Sequence, residues 1–549
     1  MTLTTIPAWL NHRAEQTPNN IWLRDRQGDD YSEWSWSQAL DDVNAAASWL
    51  ESEFAPQTKC AILSRNRAHW VLADFATVTA GNVVIPLFTT LAADTTSYIL
   101  EFSEVEVLFL GEAENWEKIR DIVPASVKII TLPGVETDSA YISWDAIITA
   151  GKGKTPNYNC QPDDLMSLVF TSGTTGLPKG SIQTHNSMLI PTGRFDQGFE
   201  LRPKPRFLSY LPLSHIAERQ LVAMHSLLKE GVVTFNESMA TLNRDLADVK
   251  PNFFFGAPRV WEQFQQAVLA VMGSQENLDA MLAADAEGTG AAVREKLGLN
   301  EADFLLSAAA PISKALLQWY DKLGMAVMEG FGQTEAMALM GNKHGDRKLG
   351  TIGRIMDGVE ARISEEGELQ VKAAGLSPGY YKNPEKTAET FVDGWIYTGD
   401  KASIDEDGFV TLTGRVKDYF KTIQGKFVAP VPIEDHFASN PHSEQLCLLG
   451  RGYSKTVMVC VLSEISKTTE AAVVEQSLQD ITQAINASTE KHARIGAIII
   501  SEQPWTIDNG FLTPTLKIKR DQVEAQFGER AMQLATQAAK QGKVLIVRV

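Results

Sequence analysis

DLMSLVFTSGTTGLPKG, residues 164–180, is the stretch on which the reading turns. Its first part, DLMSLVF, is a short apolar run with the pattern of a strand buried on both faces. The run opens into a loop holding Thr171, Ser172, Gly173, Thr174, Thr175, Gly176 and Lys179. Glycines let a backbone come close to an anion, hydroxyls and backbone N–H groups donate to its oxygens, and Lys179 adds positive charge. That is the composition of a polyphosphate cradle. The spacing of Gly173, Gly176 and Lys179 does not fit the Walker A pattern, and a plain flexible turn is the competing reading.

Outward from this stretch, KCAILS (59–64) and EVEVLFLG (104–111) repeat the buried-strand pattern. They are separated by helix-like segments such as YSEWSWSQALDDVNAAASWLESE. The alternation predicts an α/β fold with largely parallel strands. An Ala-, Gln- and Glu-rich stretch from about 264 to 303, with Gly288 and Gly290 in it, reads as helices joined by a surface loop. From EGELQVKAAG (366–375) to DGFVTLTGR (407–415) short strands alternate with Asp-Gly turns, which predicts an antiparallel portion. After Arg415 the runs EQLCLLG, TVMVCVLSE and ARIGAIIIS, with a helix between the last two, predict a compact α+β unit. The expected division is a large α/β domain over 1–414 and a small domain over 415–549.

Composition narrows the function. Of 549 residues, 44% are hydrophobic and 21% charged, as in ordinary globular enzymes, and the length calls for at least two domains. Fifty Lys plus Arg against 68 Asp plus Glu give a net charge of −18. No broad basic face is then available for nucleic acid or anionic lipid, and a small-molecule substrate is the better expectation. Cys60, Cys160, Cys447 and Cys460 are far apart and form no Cys-x-x-Cys pair, so neither a disulfide scaffold nor a zinc site is suggested, and a cytoplasmic location fits. The first residues, MTLTTIPAWLNHRAEQTP, lack a signal-peptide pattern, and no apolar run reaches bilayer-spanning length.

TSGTTGLPKG resembles the signature loop of the adenylate-forming superfamily, which contains acyl-CoA synthetases, peptide-synthetase adenylation domains and firefly-type luciferases. LPLSHIAER (211–219), SAAAPIS (307–313), EGFGQTEA (329–336), DGWIYTGD (393–400), GRVKDYFKTIQGKFVAPVPIE (414–434) and TPTLKIKR (513–520) resemble its other core motifs in the expected order. LPLSHIAER, VAPVPIE and TPTLKIKR are closest in wording to the long-chain fatty acyl-CoA synthetase branch.

The resemblance implies an enzyme using Mg²⁺, ATP and CoA. Thr171 to Gly176 and Lys179 would hold phosphates. Ala309, Ala310 and Pro311 would lie along adenine, and Glu329, Gly330, Phe331, Gly332 and Gln333 would complete the nucleotide site with Phe331 as stacking ring. Thr334 would donate to a phosphate and Glu335 hold the metal. Asp400 would accept both ribose hydroxyls, a task for two acceptor oxygens, with Arg415 beside it; a surface ion pair is the alternative. His215 would border the acyl pocket and is the candidate base for the thiol step; a structural histidine is its alternative. Lys517 would neutralise charge during adenylation. Lys417 falls at the hinge of a mobile small domain, and Lys421 and Gly425 on the segment that faces CoA. Two departures from the family pattern are Ala308, often Gly, and Leu516, usually Gly before the catalytic Lys.

The expected reaction is ATP-dependent activation of a carboxylic acid, a medium- to long-chain fatty acid by the wording of the motifs, and transfer to CoA. Transfer to a carrier protein, activation of an aryl or short-chain acid, a luciferase-like oxidation and a noncatalytic nucleotide-binding module stay open. So do peripheral membrane contact and the oligomeric state, a homodimer included.

Overall fold

In the computed structural model, residues 3–135, 138–171, 177–199, 201–507, 509–513 and 517–549 are described. The buried apolar runs assemble the central seven-stranded sheet. Its strands lie in the order Ile142–Ser143, Lys128–Thr131, Val105–Leu110, Lys59–Leu63, Val83–Leu87, Leu165–Thr171 and Lys179–Thr184. All neighbours pair in parallel except the last, which runs antiparallel to Leu165–Thr171. The helix Ala68–Thr79 is buried at every position, including Asp74, whose carboxylate pairs with buried Arg219. Only the second part of the predicted 31–53 helix is helical: Asp30–Ser35 is a strand, and Trp36–Glu53 begins at a capping box formed by Ser35 and Gln38.

A second sheet brings the nucleotide motifs together by register. Phe253–Gly256, Phe304–Ser307 and Val327–Gln333 run in parallel, with Ser307 opposite Glu329, so SAAAPIS and EGFGQTEA leave adjacent strands. Val327–Gln333 then turns back into Ala336–Gly341 with Gln333 opposite Ala336, which leaves Thr334 and Glu335 as the two-residue turn. A third, antiparallel sheet carries Val359–Ile363, Glu368–Ala373, Trp395–Ile404 and Val410–Arg415, and sets Asp400 opposite Arg415. The antiparallel expectation holds here. The expected loop around Gly288 and Gly290 does not: both lie inside the helix Ala286–Lys296.

The smaller C-terminal domain is a four-stranded mixed sheet, Ser443–Leu449, Thr456–Leu462, Ile495–Ser501 and Leu545–Arg548. Its strand residues alternate between two cores. Val457, Val459, Ala497 and Ile499 pack with Val523, Phe527 and Ala531 of the helix Arg520–Gln541. Met458, Cys460, Ile498 and Ile500 pack with Val474, Leu478 and Ile485 of Ala471–Ser488. A period-2 pattern apolar on both faces requires such a helix on each side. Arg259 of the large domain pairs with Glu444 of the small one at 2.5 Å. All four cysteines are free. Among the described residues no helix is long and apolar enough to cross a membrane.

Candidate active site

The site is built where the second and third sheets meet. Asp400 lies within the strand Trp395–Ile404 rather than at the tip of a turn as YTGD suggests; Gly399, at φ +71, and a register shift after Lys401 bend the strand there. Asp400 is buried. Its Oδ1 accepts from Arg415 Nη1 at 2.9 Å, and its Oδ2 from Gln333 Nε2 at 2.6 Å. The ion pair named as the alternative reading therefore exists, with its carboxylate in the interior. Burial holds the Asp400 carboxyl above its ordinary pKa, against the pull of Arg415.

The Thr334–Glu335 turn is pinned from outside its own hairpin. Gln183 Nε2 donates to the Thr334 carbonyl at 3.0 Å, Ser377 N–H to the Glu335 carbonyl at 2.8 Å, and the Tyr380 hydroxyl to Glu335 Oε1 at 2.6 Å. Lys179, at the start of its strand, has its ammonium 5.9 Å from the centre of the Tyr380 ring. Burial, then Lys386, lower the Lys179 pKa, against the pull of Glu335 and Glu389. Phe331 is half-buried against the apolar cluster of the third sheet. Glu329 is buried; its Oε2 accepts from Gly350 N–H at 3.2 Å, and burial pushes its carboxyl up to about 8. Ala309, Ala310 and Pro311 are exposed on the loop after Phe304–Ser307, and Ala309 sits at φ +71. Ala308 packs against the main core.

His215 caps the short helix Ile216–Glu218, its Nδ1 accepting from Ala217 N–H at 3.1 Å. Burial, and then Lys517, push its pKa down to about 4. At neutral pH the ring is uncharged with its proton on Nε2, so it can donate there and cannot act as a base through that atom. The expectation of His215 as a candidate base meets this obstacle.

Lys517 enters from the small domain. The short bridge between Leu512 and Ile518, with Thr513 N–H donating to the Lys517 carbonyl at 2.9 Å, holds its backbone. Its ammonium lies within electrostatic range of Arg415, Asp400, Glu335 and His215, while the residue as a whole stays exposed. Burial by the surrounding protein, then Arg415, lower its pKa, while the two carboxylates raise it. Lys417 lies in the turn Val416–Asp418 that leads out of the large domain. Lys421 and Gly425 sit on the exposed hairpin of Phe420–Lys421 and Phe427–Val428. Gly425 adopts φ +73, and no heavy atom lies within 4 Å of where a side chain would begin. Ser172, Gly173, Thr174, Thr175, Gly176 and Leu516 lie outside the described residues.

The structure thus brings Glu335, Asp400, Arg415, Lys517 and His215 within electrostatic range of one another, with Thr334 on the same turn as Glu335, sets Lys179, strand partner of Thr171, across the Tyr380 ring from Glu335, and leaves Lys421 and Gly425 on an exposed hairpin. Sequence reasoning missed Gln183, Ser377 and Tyr380. The Pro378-Gly379 and Asn383-Pro384 pairs on either side of Tyr380 were the available signal for the last of these.

This two-domain α/β arrangement, with residues 10–381 matching the AMP-binding enzyme family and 417–537 its C-terminal domain, shows that the chain belongs to that family. Among its relatives is the long-chain-fatty-acid–CoA ligase FadD15 of Mycobacterium tuberculosis, 30% identical over 89% of this chain and 90% of its own. Fatty acyl-CoA synthetase A of Dictyostelium discoideum is 25% identical over 92% of this chain and 86% of its own. The adenylation domain of the carboxylate reductase of Mycobacterium chelonae has the same fold, with a TM-score of 0.82 at 23% identity over 97% of this chain and 91% of that one.

Proposed function

We propose that the protein is an ATP-dependent acyl-CoA synthetase for medium- to long-chain fatty acids. The observation that carries this reading is the meeting of Lys517 with Asp400, Arg415, Glu335 and His215 in one interdomain cleft. The naming of relatives as long-chain fatty-acid ligases supports the acid and the acceptor.

In the first half-reaction a carboxylate oxygen of the acid attacks the α-phosphorus of ATP, the bond to the β-phosphate bridging oxygen breaks, and pyrophosphate leaves. Both reactants are anionic, so positioned positive charge must supply much of the rate. Lys517 and Lys179 provide it, and Thr334 donates to a phosphate oxygen. Asp400 accepts the ribose hydroxyls while Arg415 and Gln333 hold its carboxylate. Phe331 and the Ala309–Pro311 loop enclose adenine. His215, donating from Nε2, orients the acid.

Among the described residues no three His, Cys, Asp or Glu side chains group as a metal cage. Glu335 fits the other way of holding Mg²⁺, one carboxylate completed by substrate phosphates and water. When bound there, Mg²⁺ would neutralise phosphate charge.

In the second half-reaction the CoA sulfur, as thiolate, attacks the acyl carbonyl and AMP leaves. Rotation of the 415–549 domain about Lys417 withdraws Lys517 and brings the Lys421–Gly425 hairpin to the cleft. A reducing, cytoplasmic setting suits the free cysteines.

The test is pyrophosphate release with CoA present across short, aryl and fatty acids. In an apolar tunnel each buried CH₂ contributes about 0.8 kcal/mol, so kcat/KM should rise about fourfold per carbon until the tunnel is full. A maximum at acetate or at an aryl acid contradicts the assigned substrate. AMP release that depends on a carrier protein instead of CoA contradicts the assigned acceptor.

A further inference from the structure

Tyr380 lies in LSPGYYKNPE (376–385), a segment that none of the sequence motifs above includes. Two groups from distant parts of the chain meet on it. Its hydroxyl donates to Glu335 Oε1 at 2.6 Å, and its ring faces the Lys179 ammonium at 5.9 Å. Oε2 of Glu335 takes no hydrogen bond from the described residues.

The ring is itself held on several sides. Tyr380 N–H donates to Thr387 Oγ1 at 2.9 Å, and Phe391 packs edge-on at 5.8 Å. Ser181 bridges to Tyr380, and Tyr381 N–H donates to the Gly180 carbonyl at 2.9 Å, which ties the segment to the strand that begins at Lys179.

A phenol is a suitable partner for a carboxylate that must also bind a cation. It fixes one oxygen through a hydrogen bond and leaves the negative charge in place, whereas Lys or Arg would compete with the metal. The same ring offers its face to an ammonium. We propose that Tyr380 is a positioning residue that fixes the Glu335 carboxylate for the divalent cation and keeps Lys179 beside it, so that both polyphosphate contacts are aligned before ATP binds. The proposal rests on the reading of Glu335 as metal ligand, and the experiment separates the two.

Mn²⁺ binding to the full-length protein with α,β-methylene-ATP, followed by electron paramagnetic resonance, reads the site without turnover. Groups that orient a metal ligand change metal affinity by about 10- to 100-fold, so Tyr380→Phe should weaken Mn²⁺ binding by that factor while keeping the ring under Lys179. Its activity should recover at high Mg²⁺, a change in the metal's KM with kcat preserved, which a purely structural role would not produce. Glu335→Gln should weaken binding at least as much, and the double variant should be no weaker than Glu335→Gln alone. Glu335→Asp, which retracts the carboxylate from the phenol and leaves Tyr380 in place, should weaken binding like Tyr380→Phe and serves if the latter does not fold. Wild-type Mn²⁺ affinity in Tyr380→Phe or Glu335→Asp, with Glu335→Gln impaired, would overturn the role of Tyr380. Wild-type affinity in Glu335→Gln would overturn the metal-ligand reading and the proposal with it.

Discussion

Glu218 shows how the interior tunes a single group. It is buried beside the His215 loop, and its Oε1 accepts from Ser209 Oγ at 2.8 Å and Tyr210 N–H at 3.1 Å. Burial outweighs both hydrogen bonds and raises its pKa from 4.5 to about 8. Between those values the folded protein binds a proton that the unfolded chain has lost. The contribution is therefore fully present below pH 4.5 and is lost as pH rises through 8, at up to about 1.4 kcal/mol per pH unit. Glu218→Gln removes this dependence. Denaturant unfolding at pH 5, 6.5 and 8 should show the variant gaining on the wild type as pH rises; parallel stabilities across that range would refute the assignment. At this scale a motif fixes residue type. It carries no information on protonation: His215 is a candidate base by its place in LPLSHIAER and an Nε2–H donor by the backbone N–H that occupies its other nitrogen.

Asp400 reaches Arg415 and Gln333 because its strand is bent, and Gly399 is the residue that lets it bend. A side chain at φ +71 costs roughly 1–2 kcal/mol, so Gly399→Ala should lower stability by about that much. It should also raise KM for ATP and reduce selectivity against deoxy-ATP, since Asp400 loses its aim. Circular dichroism melts and kinetics with both nucleotides check this; an unchanged nucleotide preference in the folded variant would detach Asp400 from ribose. The buried strands were legible from their apolar runs, and the antiparallel portion from its Asp-Gly turns. The helix holding Gly288 and Gly290 was not. There, glycine answers packing: a side chain at Gly290 would begin 2.8 Å from the Leu323 carbonyl, a contact that sequence does not display. The two-residue turn presenting Thr334 and Glu335 was hidden for a similar reason, since register between strands, not local sequence, sets it.

At the scale of the whole molecule, the central claim is that one cleft uses two faces of the small domain in turn. That a large unit is followed by a smaller one was readable from the change of pattern along the chain. Their relative placement was not, because it depends on interdomain contacts such as Arg259–Glu444 and on the charge cluster around Lys517. In the arrangement seen, Lys517 lies within electrostatic range of Asp400, Arg415 and Glu335, while Ile423 and Phe427, flanking Gly425, remain 68% and 61% exposed. Under the proposed function that is the state for adenylation, with the hairpin proposed to face CoA still outside. The most direct test is Lys517→Ala assayed separately for the two steps: pyrophosphate release from ATP and acid, and thioester formation from supplied acyl-adenylate and CoA. Loss of one preorganised charge should slow the first step about 10²–10³-fold and leave the second near wild type. Equal damage to both steps would contradict the account.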